Sequence, residues 1–221
     1  MMRRLLALLL LLSGAAQAQE LRIGMKAAVD GSDPHQSYSP NRNVQLQVYE
    51  PLYFQDSNLH PVPGLAETGR PITPTVWAFR LRPGVTFHDG SPLTAADVIF
   101  SVQRAKDAQG LRTYASLLRS ITAMEAVDDR TLRIHTSAPT PMLPAYLTSV
   151  GIVSAAATGG NAAETEFNGG RAAIGTGPYR WVRFSQGDSV VIERAPHYWG
   201  PPEPWQRVTY RFIPNDSARV A

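Results

Sequence analysis

The sequence has no cysteine among its 221 residues. This absence excludes disulfide bonds, thiolate zinc sites, cysteine nucleophiles and lipid attachment through an N-terminal cysteine. Lysine is also rare, because only Lys26 and Lys106 stand among the 21 basic residues. The net charge is +3, and no run of like charge occurs that could follow a phosphate backbone. The composition therefore argues against nucleic acid as a partner.

Long hydrophobic runs are missing everywhere except near the N-terminus, where residues 5–12 are all leucine apart from one alanine. Two arginines precede this run, and the small-residue triplet Ala16-Gln17-Ala18 follows it. The run is shorter than the roughly 20 residues that a helix needs to cross a bilayer. The pattern predicts a cleaved secretory signal peptide over residues 1–18, and a mature chain outside the cytoplasm.

Alternation of apolar and polar residues predicts strands in the mature chain. The segments with this pattern are 21–27, 77–82, 123–127, 131–136, 179–184, 189–194 and 208–213. Short turn sequences separate 123–127 from 131–136 and 179–184 from 189–194, so each of these two pairs is predicted to form a hairpin. Strands and helices together indicate a mixed α/β chain.

Two helices are predicted from spacing and capping residues. Residues 44–53 carry apolar side chains four apart, with Asn43 available as the N-cap. A second helix is predicted after Thr94, because Thr94 and Asp97 have the spacing of a capping box. Between these helices, the prolines and glycines of residues 55–75 predict an extended connector.

A hydrolase is the first functional alternative that the residues suggest. His88, Asp89 and Ser91 stand within four positions, but a catalytic triad needs side chains that converge from separate segments. No Gly-x-Ser-x-Gly motif occurs. A secreted hydrolase that uses Ser91 or Ser101 with His88 stays open as a competing hypothesis, and a structural envelope protein as a third.

Metal and phosphate sites are not expected. The five histidines show no paired ligand spacing. Gly175-Thr176-Gly177-Pro178 resembles part of a phosphate loop, but it has no lysine, and Pro178 removes an amide. We therefore predict a tight turn that leads into a strand.

The loop from Asp33 to Arg42 is the most promising candidate for ligand contacts. It connects a predicted strand to a predicted helix and offers hydroxyl groups, an aromatic ring and a guanidinium on irregular backbone. Ligand-binding groups concentrate in such loops of α/β proteins. An ordinary surface loop remains the alternative.

Several motifs occur along the chain in an order that resembles a known family. They are Asp33-Pro34-His35, Val48-Tyr49-Glu50-Pro51-Leu52, the stretch 77–98 with its Phe87-His88-Asp89-Gly90-Ser91, Ile174-Gly175-Thr176-Gly177-Pro178-Tyr179 and Tyr198-Trp199-Gly200. Together they resemble the extracytoplasmic solute-binding proteins of family 5, the receptors for peptides, dipeptides and nickel chelates in ABC importers. The resemblance extends over residues 20–221.

The resemblance implies a periplasmic-binding-protein-like fold with two lobes that close on a ligand. Because members of the family are longer, the chain is expected to supply only the first lobe and to bind a ligand weakly by itself. Residues 19–59 and 168–221 are assigned to a large α/β domain, and residues 60–167 to a smaller α+β domain inserted into it. The stretch 77–97 is assigned to the framework rather than to the pocket.

Function and site residues also follow from the resemblance. It implies a non-enzymatic, monomeric receptor in the bacterial periplasm, without cofactor or metal, which delivers a peptide or similar small solute to an inner-membrane ABC permease. An opine, a glutathione-like peptide or a nickel chelate is an alternative solute. Nickel chelates are disfavoured because residues 148–153 contain no arginine, where nickel-binding members carry one. The predicted ligand contacts are Ser37, Tyr38, Ser39, Arg42, Arg112 and Tyr114.

Overall fold

The computed structural model describes residues 19–36, 39–159 and 164–220. The predicted signal peptide lies outside these residues. The elements of the described part follow one another as β1 (Glu20–Met25), α1 (Ser39–Gln45), β2 (Tyr53–Gln55), β3 (Pro61–Pro63), β4 (Ala66–Thr73), β5 (Val76–Leu81), α2 (Ala95–Asp107), α3 (Ala115–Leu118), β6 (Ile121–Asp128), β7 (Thr131–Thr136), α4 (Leu143–Leu147), α5 (Ala155–Thr158), α6 (Glu164–Asn168), β8 (Tyr179–Ser185), β9 (Ser189–Arg194), β10 (Arg207–Phe212) and α7 (Asp216–Val220).

The strands form two four-stranded sheets and one small hairpin. In the first sheet the order is β1-β10-β9-β8, with β1 parallel to β10 and the other neighbours antiparallel. The second sheet is antiparallel throughout, in the order β4-β5-β7-β6. Strands β2 and β3 pair with each other. The structure therefore confirms the mixed α/β class and both predicted hairpins.

The inner strand β5 shows why alternation was a reliable signal here. Its side chains Trp77, Phe79 and Leu81 are buried on one face, while Ala78 and Arg80 are more exposed on the other. Strand β7 pairs with β5 and buries Leu132 on the same side as Phe79, its partner in the register. The alternation of buried and exposed side chains along β5 thus matches a sheet that is covered on one face.

The helix predicted over residues 44–53 is wrong. Helix α1 ends at Gln45, and turns follow it. Pro51 has no N–H to donate to the carbonyl of Gln47, and the amide of Tyr179 donates to this carbonyl instead, at 3.0 Å. The apolar spacing correctly predicted that Val48 is buried. It did not predict the backbone conformation of this segment.

The connector predicted over residues 55–75 is extended, but it forms strands. Most of it lies in β3 and β4. Strand β4 is at the edge of its sheet, and its Pro71 is tolerated there because an edge strand leaves one row of N–H groups unpaired. Proline content therefore indicated an edge strand rather than a linker.

Two clusters of buried apolar side chains form the cores. One lies around α2 and the sheet β4-β5-β7-β6, and its members lie within residues 52–152. The other lies beneath the sheet β1-β10-β9-β8, with members from residues 29–49 and 153–208. None of the helices in the described part of the chain is both long and apolar enough to span a membrane.

Candidate functional site

The structure places the predicted ligand contacts unevenly. Ser37 and Tyr38 lie outside the described residues, and Ser39 is the first residue of α1. Arg42, also on α1, donates from Nη1 and Nη2 to the carbonyl oxygen of Thr148, at 3.3 and 3.2 Å. Tyr114 is buried and immediately precedes α3.

Asp30 connects the elements that carry the two predicted arginines. Its carboxylate accepts a bond from Arg112 Nη1 at 2.9 Å. The same carboxylate accepts from the side-chain amide of Asn41, next to Arg42, and its backbone amide donates to Asn41 Oδ1 at 2.8 Å. A bridge between Gln36 and Thr113 adds a backbone contact between the same two segments. The structure thus brings Arg112 and α1 together around residues 30–36.

A buried ion pair lies directly behind this segment. Arg104 of α2 donates from Nη1 to Asp33 Oδ1 at 2.8 Å and from Nη2 to Oδ2 at 2.6 Å. Although burial raises the pKa of Asp33, the bond from Arg104 and the neighbouring charges hold this pKa below its usual value. Two parallel bonds of this kind fix the orientation of both groups.

His35 extends the ion pair into a network. Arg104 Nη1 lies 2.7 Å from His35 Nδ1, and His35 Nε2 lies 3.0 Å from the carbonyl oxygen of Gly151. Arginine can only donate, so Nδ1 must be the acceptor, and the ring proton must be on Nε2. Burial lowers the pKa of His35 to about 4, and the charge of Arg104 acts in the same direction. The ring is therefore neutral at neutral pH.

Sequence reasoning missed Arg104, although a signal was present. Asp97, Ser101 and Arg104 stand at positions i, i+4 and i+7 of α2 and therefore share one face of the helix. Asp97 Oδ1 accepts from the amide of Ala155 at 3.1 Å, and Ser101 Oγ accepts from the amide of Val153 at 3.0 Å. Three polar residues beside the buried apolar residues Val98, Val102 and Ala105 thus indicate a second packed face of α2.

An open cleft with a volume of ≈ 920 Å³ lies beside this network. Volumes of about 300–1,000 Å³ are typical of sites for small molecules. The cleft combines apolar, amide and charged side chains. Its walls are formed by Asp33, His35, Gln36, Ala96, Ile99, Phe100, Gln103, Arg104, Asp107, Ala108, Gln109 and Ala126.

The geometry at His88 does not favour catalysis. His88 Nε2 donates to the carbonyl of Gly177 at 2.9 Å, and Nδ1 accepts from the amide of Gly175 at 3.4 Å. Ser91 instead donates to Asp89 at 2.7 Å, and Ser101 donates to a backbone carbonyl of its own helix. Both ring nitrogens of His88 are thus bound to backbone, so His88 is not placed to act as a base for either serine. Within residues 19–36, 39–159 and 164–220, no group of three His, Asp or Glu side chains is placed to hold a metal ion.

A family model described as bacterial extracellular solute-binding proteins, family 5 Middle, matches residues 60–221. Among curated relatives, the periplasmic oligopeptide-binding protein OppA of Escherichia coli K12 is 29% identical over 206 residues, covering 83% of this chain and 37% of OppA. The glutathione-binding protein GsiB of Pectobacterium atrosepticum is 30% identical over 216 residues, covering 92% of this chain and 40% of GsiB.

A solved structure extends the comparison to the fold. The binding protein MoaA of A. tumefaciens R10, in complex with mannopinic acid, superposes with a TM-score of 0.81 at 26% identity, covering 91% of this chain and 42% of MoaA. The chain thus spans between 37% and 42% of the length of these three relatives.

Proposed function

The chain belongs to the family 5 bacterial extracellular solute-binding proteins, and from this membership we propose that it is the substrate-binding component of an ABC importer. The observation that carries the proposal is the family match over residues 60–221, joined by similarity to OppA and GsiB. The ligand is a peptide or a similar small solute, which the protein delivers to an inner-membrane permease. The protein acts in the periplasm, after removal of a signal peptide, as a monomer.

The binding surface in this proposal lies around residues 30–36. Its ligand contacts are Ser37, Tyr38, Ser39, Arg42, Arg112 and Tyr114. Two of these contacts are guanidinium groups, which match the geometry of a peptide carboxylate. Arg112 is accessible for such a contact, because its side chain is 62% exposed. Contacts made in both lobes stabilise the closed state, so closure follows from the difference in affinity between the open and closed states.

The proposal includes a division into two domains. Residues 19–59 and 168–221 form the large α/β domain, and residues 60–167 form the inserted domain. Support comes from the two sheets, because β4, β5, β6 and β7 all lie between residues 66 and 136, whereas β1, β8, β9 and β10 come from the two flanking parts. Each sheet also covers its own buried cluster.

An opine is the second candidate solute. The specific observation in its favour is the structural match to MoaA, which was solved with mannopinic acid. Peptides and opines both carry carboxylates, so guanidinium groups suit either ligand. A secreted hydrolase has less support, because the His88 ring is bound to two backbone groups.

Isothermal titration calorimetry tests the proposal. The protein is expressed from its whole open reading frame and titrated with trialanine, glutathione and mannopinic acid. We expect saturable binding of one of the three at micromolar concentration or below. The absence of binding heat with all three, for a protein that is folded by circular dichroism, would contradict the proposed function.

A further inference from the structure

We propose that Asp33, His35 and Arg104 form an anchor that positions residues 30–36, and through them Arg112 and α1, for ligand contact. These three are positioning residues, since none of them is among the proposed ligand contacts. The inference rests on the proposed function, because it concerns how the proposed ligand contacts are held.

The ion pair supplies the rigid part of the anchor. The side chains of Asp33 and Arg104 are only 5% and 14% exposed. Two bonds in parallel prevent the carboxylate from rotating about its own axis. The guanidinium also lies over the ring of Phe167, with Cζ 4.7 Å from the ring centroid. Arg104 is therefore held on two sides, and Asp33 takes its position from it.

His35 connects the anchor to a second part of the chain. Its Nδ1 accepts from Arg104 on α2, and its Nε2 donates to Gly151, which lies far along the chain. Gly151 itself leaves no room for a side chain, since a Cβ there would lie 2.9 Å from Tyr49 Cβ and 3.0 Å from Pro34 Cβ. Residues 34 and 35 are thus packed against residue 151 as well as bound to it.

Hydrogen bonds connect the anchored segment to α1. Gln45, the last residue of α1, donates from Nε2 to the carbonyl of Asp33 at 2.8 Å and to the carbonyl of Gly31 at 3.3 Å. At the other end of the segment, Asp30 binds both Asn41 and Arg112. A displacement of Asp33 therefore moves both proposed guanidinium contacts.

A general stabilising role is the alternative for such a pair. Replacing a buried ion pair by apolar groups is often neutral for stability, so overall stability alone does not distinguish the two roles. A positioning role makes a local prediction: loss of the anchor loosens residues 30–36 and 39–46, while the sheet β1-β10-β9-β8 keeps its protection from exchange. A stabilising role loosens both regions together.

Hydrogen–deuterium exchange of the full chain, without ligand, tests this prediction. In Arg104→Met we expect the amides of residues 30–36 and 39–46 to exchange at least tenfold faster, and those of β8 and β9 to change less than twofold. Arg133→Met is the control, because Arg133 also forms an ion pair, with Glu125 at 3.2 Å, but this pair is exposed and shares no residue with the anchor. We expect no change in residues 30–36 and 39–46 of the control.

Two further measurements keep the proposal testable if Arg104→Met does not fold. Asp33→Asn preserves the shape of the side chain and should show the same local increase in exchange. In the unsubstituted protein, nitrogen-15 NMR should find His35 protonated on Nε2. The proposed anchor is wrong if the amides of residues 30–36 and 39–46 in a folded variant exchange within twofold of the unsubstituted protein, if β8 and β9 loosen equally, or if Nδ1 of His35 carries the proton.

Failure of the proposed function is distinguishable from failure of the anchor. If the unsubstituted protein binds neither trialanine, glutathione nor mannopinic acid, the proposed function is contradicted. The exchange result still decides whether the anchor positions residues 30–36 and 39–46, because that experiment needs no ligand.

Discussion

The buried carboxylate of Glu50 accepts a hydrogen bond from the indole Nε1 of Trp199 at 2.8 Å. Two more donors reach the same carboxylate, the hydroxyls of Tyr198 and Thr176, each at 2.9 Å. Burial raises the pKa of Glu50 above its usual value despite these three bonds. The carboxylate thus connects its own motif to two others, each more than a hundred residues further along the chain.

Glu50→Ala should destabilise the protein strongly, because it leaves the buried hydroxyl of Thr176 and the half-buried donors of Tyr198 and Trp199 without this acceptor. We expect the free energy of unfolding to fall by about 3–5 kcal/mol. Glu50→Gln keeps one acceptor oxygen and removes the cost of burying a charge, so a loss of about 1–2 kcal/mol is expected. Urea denaturation measures both. Glu125→Gln, at a half-exposed position of β6, serves as control and should leave the free energy of unfolding nearly unchanged. An equally small effect of Glu50→Ala would show that the bonds to Glu50 contribute little.

Gly175→Ala should be among the most destabilising single changes in the chain. A Cβ at Gly175 would lie 2.0 Å from the carbonyl oxygen of Val48, which is backbone and has little room to move. We expect a loss of more than about 3 kcal/mol, because the whole turn would have to shift. Gly24→Ala is the matched control, since a Cβ at Gly24 meets its nearest atoms at an ordinary 3.5 Å. Thermal denaturation of the two variants tests this prediction. Similar melting temperatures would contradict the close approach of Gly175 to the carbonyl of Val48.

The turn that contains Gly175 shows which parts of the fold can be predicted from the sequence. The turn at Gly175-Thr176-Gly177-Pro178 was predicted from residue type, and strand β8 begins directly after it. What residue type did not reveal is the reason for glycine, a close approach to Val48. The helix expected over residues 44–53 failed for a related reason, since the carbonyls there bond to a segment more than a hundred residues away. Local patterns predict conformations that local bonds decide, and they miss those that distant partners decide.

The candidate site was predictable in the same partial way. The polar loop starting at Asp33 stood out by its composition, and the structure places a cleft beside its first residues. The partner of Asp33 was not predicted, because Arg104 lies 71 positions away on α2. The spacing of Asp97, Ser101 and Arg104 indicates a polar face of α2, but it does not show which distant segment packs against that face.

Arg112→Ala should weaken ligand binding without weakening the fold. Its ion pair with Asp30 is exposed, and exposed pairs contribute only about 0–1 kcal/mol to stability. We expect the melting temperature to stay nearly constant, and the affinity for whichever of trialanine, glutathione or mannopinic acid binds to fall at least tenfold. Arg133→Ala removes a comparable exposed pair at a residue that is not among the proposed ligand contacts and should leave the affinity unchanged. If both variants bind equally well, Arg112 is not a ligand contact.

His35 should make the protein less stable in mild acid. Its pKa is about 4 in the folded protein, against 6.5 as its ordinary value. Between these pH values the unfolded chain binds a proton on His35 and the folded protein does not, so stability falls as the pH falls through this window. At about 1.4 kcal/mol per pKa unit, the loss reaches roughly 3 kcal/mol near pH 4. His88, whose pKa is lowered by burial, adds to the loss in the same direction.

The variant His35→Gln separates the His35 contribution from the rest. Glutamine is neutral at every pH, so urea denaturation at pH 7 and pH 4.5 should show a smaller difference in this variant than in the unsubstituted protein, by on the order of 2 kcal/mol. The charged and titratable groups around the ring, Asp33, Arg104 and Tyr49, remain in place. Asp33, with its lowered pKa, loses its contribution only as the pH falls below its unfolded value of 3.8, outside this window. An unchanged pH dependence in His35→Gln would contradict the lowered pKa of His35, because it would mean that the ring titrates alike in the folded and unfolded protein.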